Sequence, residues 1–314
     1  MLKLKWNKYY GAAIGAFVIW GFIPFPLKAL NDYPSGQILY FRIIFSVALL
    51  VLLSLVFHRR SLTDTLSQYR QSSQKEKRRF LLLLPLSGLL LTINWFTFIY
   101  VVNHVDIQTG SFSYLLCPIL TALLGFFLLK EKLKANQWLA IGLSLISCSL
   151  IGTGSVLNLL YSLFIALSYA LYLIVQRVLK DYDKIVLLTL TLLVTALLIG
   201  PFYPYFNAGH ALGLDWYFFG VIGVLAIVFT ILPLFLNLYA LKELKSGTVG
   251  ILLYINPVLN FAMAFWYFQE KTSSQKALAY ALILVSIVIY NLKFKKKKVS
   301  LKGERGTPKP GQLS

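Results

Sequence analysis

The stretch Leu115-Leu116-Cys117-Pro118-Ile119-Leu120 is followed, thirteen residues past its proline, by Glu131-Lys132; it recurs as Tyr254-Ile255-Asn256-Pro257-Val258-Leu259, with Glu270-Lys271 at the same spacing. The two copies lie 139 residues apart. Apolar segments fill the interval, and read as membrane crossings they number five. An odd number of crossings turns the second copy upside down relative to the first. Inverted-topology repeats characterise secondary transporters, in which substrate binds between the two halves. The repeat therefore points to a carrier.

The rest of the chain agrees with a membrane location. Of 314 residues 58% are apolar and 13% charged, whereas a soluble domain carries about 25% charged residues. Apolar runs are expected to cross at 9–28, 36–57, 80–102, 110–129, 135–153, 156–176, 185–205, 215–240, 248–268 and 275–293. These lengths match helices spanning about 30 Å of hydrocarbon, not the shorter alternating strands of a barrel. The expected fold is an all-α polytopic membrane protein of ten transmembrane helices. It divides into one five-helix repeat at 9–153, its inverted copy at 156–293 and a basic tail at 294–314. The N-terminal Lys3, Lys5 and Lys8 precede an apolar run, but no small-x-small cleavage pattern follows, so this is read as an uncleaved first span.

Charge distribution sets the expected orientation. With the N-terminus inside, 26 of the 30 Lys and Arg residues fall on the cytoplasmic side. Lys28, Lys271 and Lys276 fall outside, and Arg42 lies within a span. The positive-inside rule gives this asymmetry and puts both termini in the cytoplasm. The net charge of +19 is thereby a matter of topology, and nucleic acid is not an expected partner. The tail, with Lys295 to Lys298, reads as a solvated anchor or as a contact for anionic lipid headgroups.

No motif calls for a cofactor, and no metal-ligand spacing links His58, His104 and His210. Cys117 and Cys148 lie in apolar runs and suggest neither a disulfide framework nor a metal site. All eleven carboxylates sit at span boundaries or outside, which leaves a buried acid–base pair without candidates. What remains for function is polar and aromatic. Pro118 and Pro257 each remove a backbone donor inside an apolar run and would free the carbonyls of Tyr114 and Leu253. The result is either a packing kink or a cavity-lining hinge. Arg42 either snorkels outward or faces the pathway and attracts an anionic group. Glu131 and Glu270 mark span ends, where they are solvated charges or gate partners for Lys or Arg of the other half. Tyr169, Tyr172 and Gln176 share one helix face, as do Asn256, Asn260 and Met263. Trp20, Asn94 and Trp95 are further polar or aromatic residues at mid-span.

These residues also carry a likeness. Trp20-Gly21-x-x-Pro24-x-x-x-Lys28, Ile38-Leu39 before Arg42, Asn94-Trp95-x-x-Phe98-Ile99 ending in Val102-Asn103, Tyr114 ahead of Pro118, and Glu131 followed by Gln137-Trp138-Leu139-Ala140 stand in the first half. Tyr254-Ile255-x-Pro257 and Glu270 stand in the second. The chain resembles the drug/metabolite transporter superfamily with paired EamA domains, and within it the RarD (chloramphenicol-sensitive) branch, over about residues 10–292. In place of the His expected before Arg42 it has Phe41, and in place of the Asn expected before Pro118 it has Cys117, while Asn256 precedes Pro257. The resemblance implies a ten-helix basket in a bacterial inner membrane, with the pathway between the repeats. It implies a carrier and supplies no substrate; the polar and aromatic residues of the spans favour amino-acid-like metabolites or drugs, and the expected function is their export by a secondary carrier working by alternating access, not an enzyme. Trp20, Arg42, Asn94, Trp95, Tyr114, Tyr254 and Asn256 are the expected pathway residues. A lipid-modifying intramembrane enzyme and a non-transporting membrane partner or sensor are the alternatives.

Overall fold

The computed structural model describes residues 8–30, 32–105, 107–152, 155–207, 215–266 and 274–292. Glu270 and the basic tail fall outside them. The described residues form helices, with no strand among them. In hydrocarbon each backbone N–H and C=O must be satisfied within its own segment, and a helix does so without an edge.

Span 1 comprises α1 (Lys8–Gly21) and α2 (Pro24–Lys28), and span 2 is α3 (Ser35–Val56). A surface helix, α4 (Arg59–Gln71), precedes span 3, α5 (Gln74–His104). Spans 4, 5 and 6 are α6 (Ile107–Leu129), α7 (Ala135–Ile151) and α8 (Val156–Val178). Span 7 runs from α9 (Lys184–Ile199) through a 3₁₀ turn into α10 (Tyr203–Asn207). Span 8 joins α11 (Trp216–Ala226) to α12 (Leu232–Leu241) through a π-helical turn at Ile227–Ile231. Span 9 is α13 (Ser246–Leu252) and α14 (Ile255–Trp266), and span 10 is α15 (Ser274–Asn291). Seven of these are long and apolar enough to cross a membrane, and Ala135–Ile151, Ser246–Leu259 and Ala277–Asn291 are shorter apolar helices.

Three boundaries differ from the sequence expectation, each for a local reason. Segment 58–79 is not a plain loop. It contains α4, and α5 starts at Gln74 because Ser73 and Glu76 form a capping box that satisfies the first free amides. Span 9 is broken at Leu253–Tyr254, so Pro257 stands in the first turn of a new helix instead of kinking a long one. Its missing N–H and fixed φ are tolerated there. The carbonyl of Leu253 is not freed, since it accepts from Asn256 N–H at 3.0 Å. Pro118, by contrast, lies inside α6, which continues through it. Elsewhere side chains cap the ends that sequence patterning suggests: Ser155 for α8, Asp183 for α9 and Asp215 for α11.

The packing obeys a twofold exchange. Span 4 packs on span 6, and span 9 on span 1. Span 3 packs on spans 6 and 7, and span 8 correspondingly on spans 1 and 2. The pairs 2–7, 4–9 and 5–10 map onto themselves. Replacing each span by the one five later therefore carries each of these pairs onto another of them, as an internal repeat requires. The interior is filled by Phe17, Leu91, Tyr172, Leu188 and Tyr254, while Leu52, Phe57, Leu82, Phe127 and Leu197 stand exposed. Apolar side chains exposed along helix flanks are what lipid contact demands.

Crossings close by small residues, since lipid offers no hydrophobic drive for helix association. At α5–α9, Ser87 Oγ lies 3.1 Å from Thr191 Oγ1, and Thr195 Oγ1 donates to Gly88 O at 3.3 Å.

Candidate substrate pathway

Arg42 leaves span 2 with its guanidinium carbon 5.0 Å from the centre of the Trp95 ring on span 3. A cation above an indole face is attracted by the ring quadrupole, more strongly where water is excluded. Arg42 Nε is buried and has no hydrogen-bond partner. Among the described residues no carboxylate pairs with it; their one ion pair is Arg60–Asp64, at the surface. The head of Arg42 therefore lies against an aromatic ring of the next span. Tyr114, on span 4, lies within electrostatic reach of Arg42 and stacks at 5.4 Å on Phe98 of span 3.

A second cluster joins spans 1, 6 and 8. Trp20 Nε1 donates to the carbonyl of Phe229 at 2.9 Å. Phe229 lies in the π-helical turn, where the usual helical ladder is broken and carbonyls become available. Trp20 meets Tyr169 edge-on at 6.4 Å, Tyr169 packs on Tyr172 at 5.7 Å, and Asn237 Nδ2 donates to Tyr169 Oη at 3.4 Å. Tyr254 belongs to the central cluster of buried side chains, and Trp20, Trp95 and Tyr114 pack against it, so both groups adjoin one core.

Other expected residues have different surroundings. Asn94 is fully buried and donates to Ile165 O at 2.9 Å and to Ser168 Oγ at 3.3 Å, tying span 3 to span 6. Interhelical bonds of this kind are worth about 0.6 kcal/mol on average and up to about 1.7 kcal/mol. Asn94→Ala is accordingly expected to lower thermal stability in detergent by that amount, measured against Asn158→Ala, whose side chain is placed near the helix end. Tyr254 is fully buried, its hydroxyl turned towards Ser144 but without a partner in hydrogen-bond geometry. Asn256 is half-buried and engaged with neighbours. Gln176 donates to Thr191 Oγ1 at 3.4 Å, so the lower end of the Tyr169–Tyr172–Gln176 face secures span 6 to span 7.

Glu131 differs from expectation in its partner. Its carboxylate accepts from the backbone N–H groups of Ser246 at 2.9 Å and Gly247 at 3.3 Å, not from a Lys or Arg of the facing half. Asn237 and the π-helical turn are the pathway features that sequence reading missed. A lone Asn in an apolar span was the available signal for the first. For the second the signal was Pro233, which has no N–H for the Phe229 carbonyl four residues earlier. No group of three or more His, Cys, Asp or Glu residues able to hold a metal occurs among the described residues.

Comparison with known proteins places this architecture. The EamA-like transporter family matches the chain twice, over residues 7–153 and 156–292. The chain is 30% identical over 282 residues to the uncharacterized transporter YojE of Bacillus subtilis, covering 88% of this chain and 90% of that protein. It is 27% identical over 281 residues to the protein RarD of Escherichia coli, covering 88% and 92%. An uncharacterized transporter of Vibrio cholerae is 30% identical over 284 residues. A crystal structure with 17% sequence identity superposes with a TM-score of 0.68 over 88% of this chain and 94% of the other, a likeness of fold. The chain belongs to the EamA-like transporter family, and is a polytopic helical membrane transporter related to the RarD proteins.

Proposed function

We propose that the protein is a secondary carrier that moves a small organic solute bearing an anionic group, of the amino-acid-like or drug-like kind, across a bacterial inner membrane by alternating access. Both termini are cytoplasmic in this reading, and the favoured direction is export. Residues 9–153 and 156–293 act as the two inverted halves. The observation that carries it is the half-buried Arg42 guanidinium, set against Trp95 with Nε buried and unpartnered and no carboxylate beside it among the described residues. A buried charge is costly unless paired, and an intramembrane ionisable residue usually serves a pathway. A carboxylate or phosphate entering with the solute would pair with Arg42, while Trp95, Trp20 and Tyr114 would stack on its apolar part. Catalysis is not part of this reading, because every carboxylate lies at a span boundary or outside. The Lys295–Lys298 run would hold the tail on anionic lipid.

Purified protein in proteoliposomes, given amino acids and chloramphenicol-like drugs with and without a pH gradient, tests this directly. Saturable flux of an anionic or zwitterionic solute is expected. Saturable flux confined to cations would refute the role of Arg42, and catalytic turnover of lipid with no flux would favour the enzyme.

A further inference from the structure

The basic end of the molecule holds a contact whose construction exceeds what helix packing needs. Helix α6 ends at Leu129, and Lys130 adopts a left-handed backbone with φ of 54°, the one non-glycine residue described with positive φ. L-residues avoid this region because Cβ crowds the carbonyl. The reversal turns Glu131 back along its own helix, its N–H donating to Gly125 O at 3.0 Å. Its carboxylate thereby meets the amides of Ser246 and Gly247 at the start of span 9. Nearby, Lys245 Nζ donates to Lys132 O at 2.8 Å. Both contacts cross from one repeat to the other.

Above the carboxylate the two helices touch backbone to backbone. A Cβ on Gly250 would lie 2.7 Å from Thr121 Cβ, one on Gly247 3.2 Å from Ala122 Cα, and one on Gly125 2.4 Å from Ser246 Oγ. A side chain at Gly250 would displace Thr121, and one at Gly247 would displace the Tyr290 hydroxyl, 2.5 Å from its Cβ. Past Leu253 the helices part: α14 packs chiefly on α1, and only lightly on α6. The repeat does not copy this seam. At the 139-residue offset, Thr121, Ala122 and Gly125 correspond to Asn260, Phe261 and Ala264, while Ser246, Gly247 and Gly250 correspond to Ile107, Gln108 and Ser111. The equivalent crossing at the other end would be bulkier on both sides.

We infer that Glu131 is a positioning residue, a latch that holds the span 4–span 9 seam shut at the basic end and biases the carrier towards the state open on the opposite face. This rests on the carrier reading above. The latch works because a carboxylate is acceptor-only and the first amides of a helix are unsatisfied donors. Breaking these bonds removes free energy from one conformer alone, and the equilibrium moves accordingly.

Cys117 supplies the probe. It lies one turn beyond Thr121 on the same helix face, fully buried, with Sγ 3.8 Å from Thr121 Oγ1. In a Cys148→Ser background it is the sole thiol. Vesicles of both orientations are treated with a membrane-impermeant maleimide. Glu131→Gln, which presents an amide N–H₂ to the Gly247 N–H, is expected to raise Cys117 labelling from the basic face by about tenfold, the population ratio a lost charged contact commonly shifts. Glu131→Asp and Lys130→Gly should preserve slow labelling. A Glu131→Gln rate equal to the parent's from the basic face overturns the latch. A second arm does not depend on that variant. In a background lacking Cys117 and Cys148 and carrying Tyr290→Phe, which removes the hydroxyl 2.5 Å from a Gly247 Cβ, Ala122→Cys with Gly247→Cys brings Cβ atoms about 3.5 Å apart, within disulfide range. Oxidation should stop flux reversibly, and undiminished flux through the cross-linked protein also overturns the latch. If labelling responds to Glu131→Gln while no solute is carried by any form, the latch stands and the carrier reading fails.

Discussion

Replacing Arg42 by alanine is expected to cut the affinity for an anionic solute roughly 10- to 100-fold while leaving the fold intact. The magnitude follows from the bond at stake: a hydrogen bond to a charged group contributes about 1.5–3 kcal/mol, and each 1.36 kcal/mol is a factor of about ten. An unchanged stability makes the prediction discriminating. With Nε unpartnered and no carboxylate beside it among the described residues, the guanidinium is balanced chiefly by the Trp95 ring 5.0 Å away. Deleting it removes a buried charge, whose desolvation opposes folding, at the loss of a cation–π contact of about 2 kcal/mol. Thermal stability of Arg42→Ala in detergent should therefore stay near the parent's, whereas a purely structural arginine would lose stability and transport together. Arg42→Lys keeps the charge but loses the planar fork that accepts a carboxylate bidentately, and should fall between. Unchanged uptake kinetics in both variants would remove Arg42 from the pathway.

The same residue shows where sequence reading stops. A single arginine about six residues from a span end is compatible with snorkelling and with an inward pose. The contact that favours the inward pose is with the Trp95 ring on another helix, and that neighbour cannot be read from span 2. The number of spans was legible, because hydrocarbon thickness fixes helix length and apolar runs of that length are hard to mistake. The offset between Pro118 and Pro257 marked the repeat, and the twofold packing pattern agrees with it. The consequence of Pro257 was misread. A proline in an apolar run suggests a mid-helix kink, but the chain starts a fresh helix at Ile255 and uses the proline in its first turn. Glu131 was recognisable as a span-end charge with a gating alternative. Its partners were hidden, since the N–H groups of Ser246 and Gly247 belong to the backbone and leave no side-chain signature. The acceptor for Trp20 was half legible: Pro233 has no N–H to offer the Phe229 carbonyl four residues earlier, but nothing in span 8 names Trp20 as the donor that uses it.

Gly88→Leu should leave little folded protein, and even Gly88→Ala should destabilise. A Cβ at this position would lie 2.5 Å from Val194 Cγ1, 2.6 Å from Val194 Cβ and 3.0 Å from Thr191 O. Valine in a helix is held almost entirely in one χ1 rotamer, so it has no alternative pose to retreat into. The carbonyl of Thr191 cannot move without carrying α9. Accommodating one methyl therefore means parting α5 from α9, which stretches the Ser87–Thr191 and Thr195–Gly88 bonds together. Overpacking of this kind costs about 1–3 kcal/mol, against a helix-propensity gain of at most about 1 kcal/mol from replacing glycine. Gly142 supplies the matched control, since a Cβ there meets nothing within 4 Å and only the propensity gain remains. Gly88→Ala should thus unfold at a lower temperature than the parent and Gly142→Ala at an equal or higher one, read by thermal unfolding of the purified protein. Equal stability of the two alanine variants would disprove the close crossing. The effect also reaches the pathway. Trp95 lies two turns along α5 from Gly88, on the same face, so a helix displaced at Gly88 carries away the ring that faces Arg42. Flux in Gly88→Ala should fall by more than the loss of folded protein accounts for, since the surviving molecules hold Trp95 and Arg42 out of register.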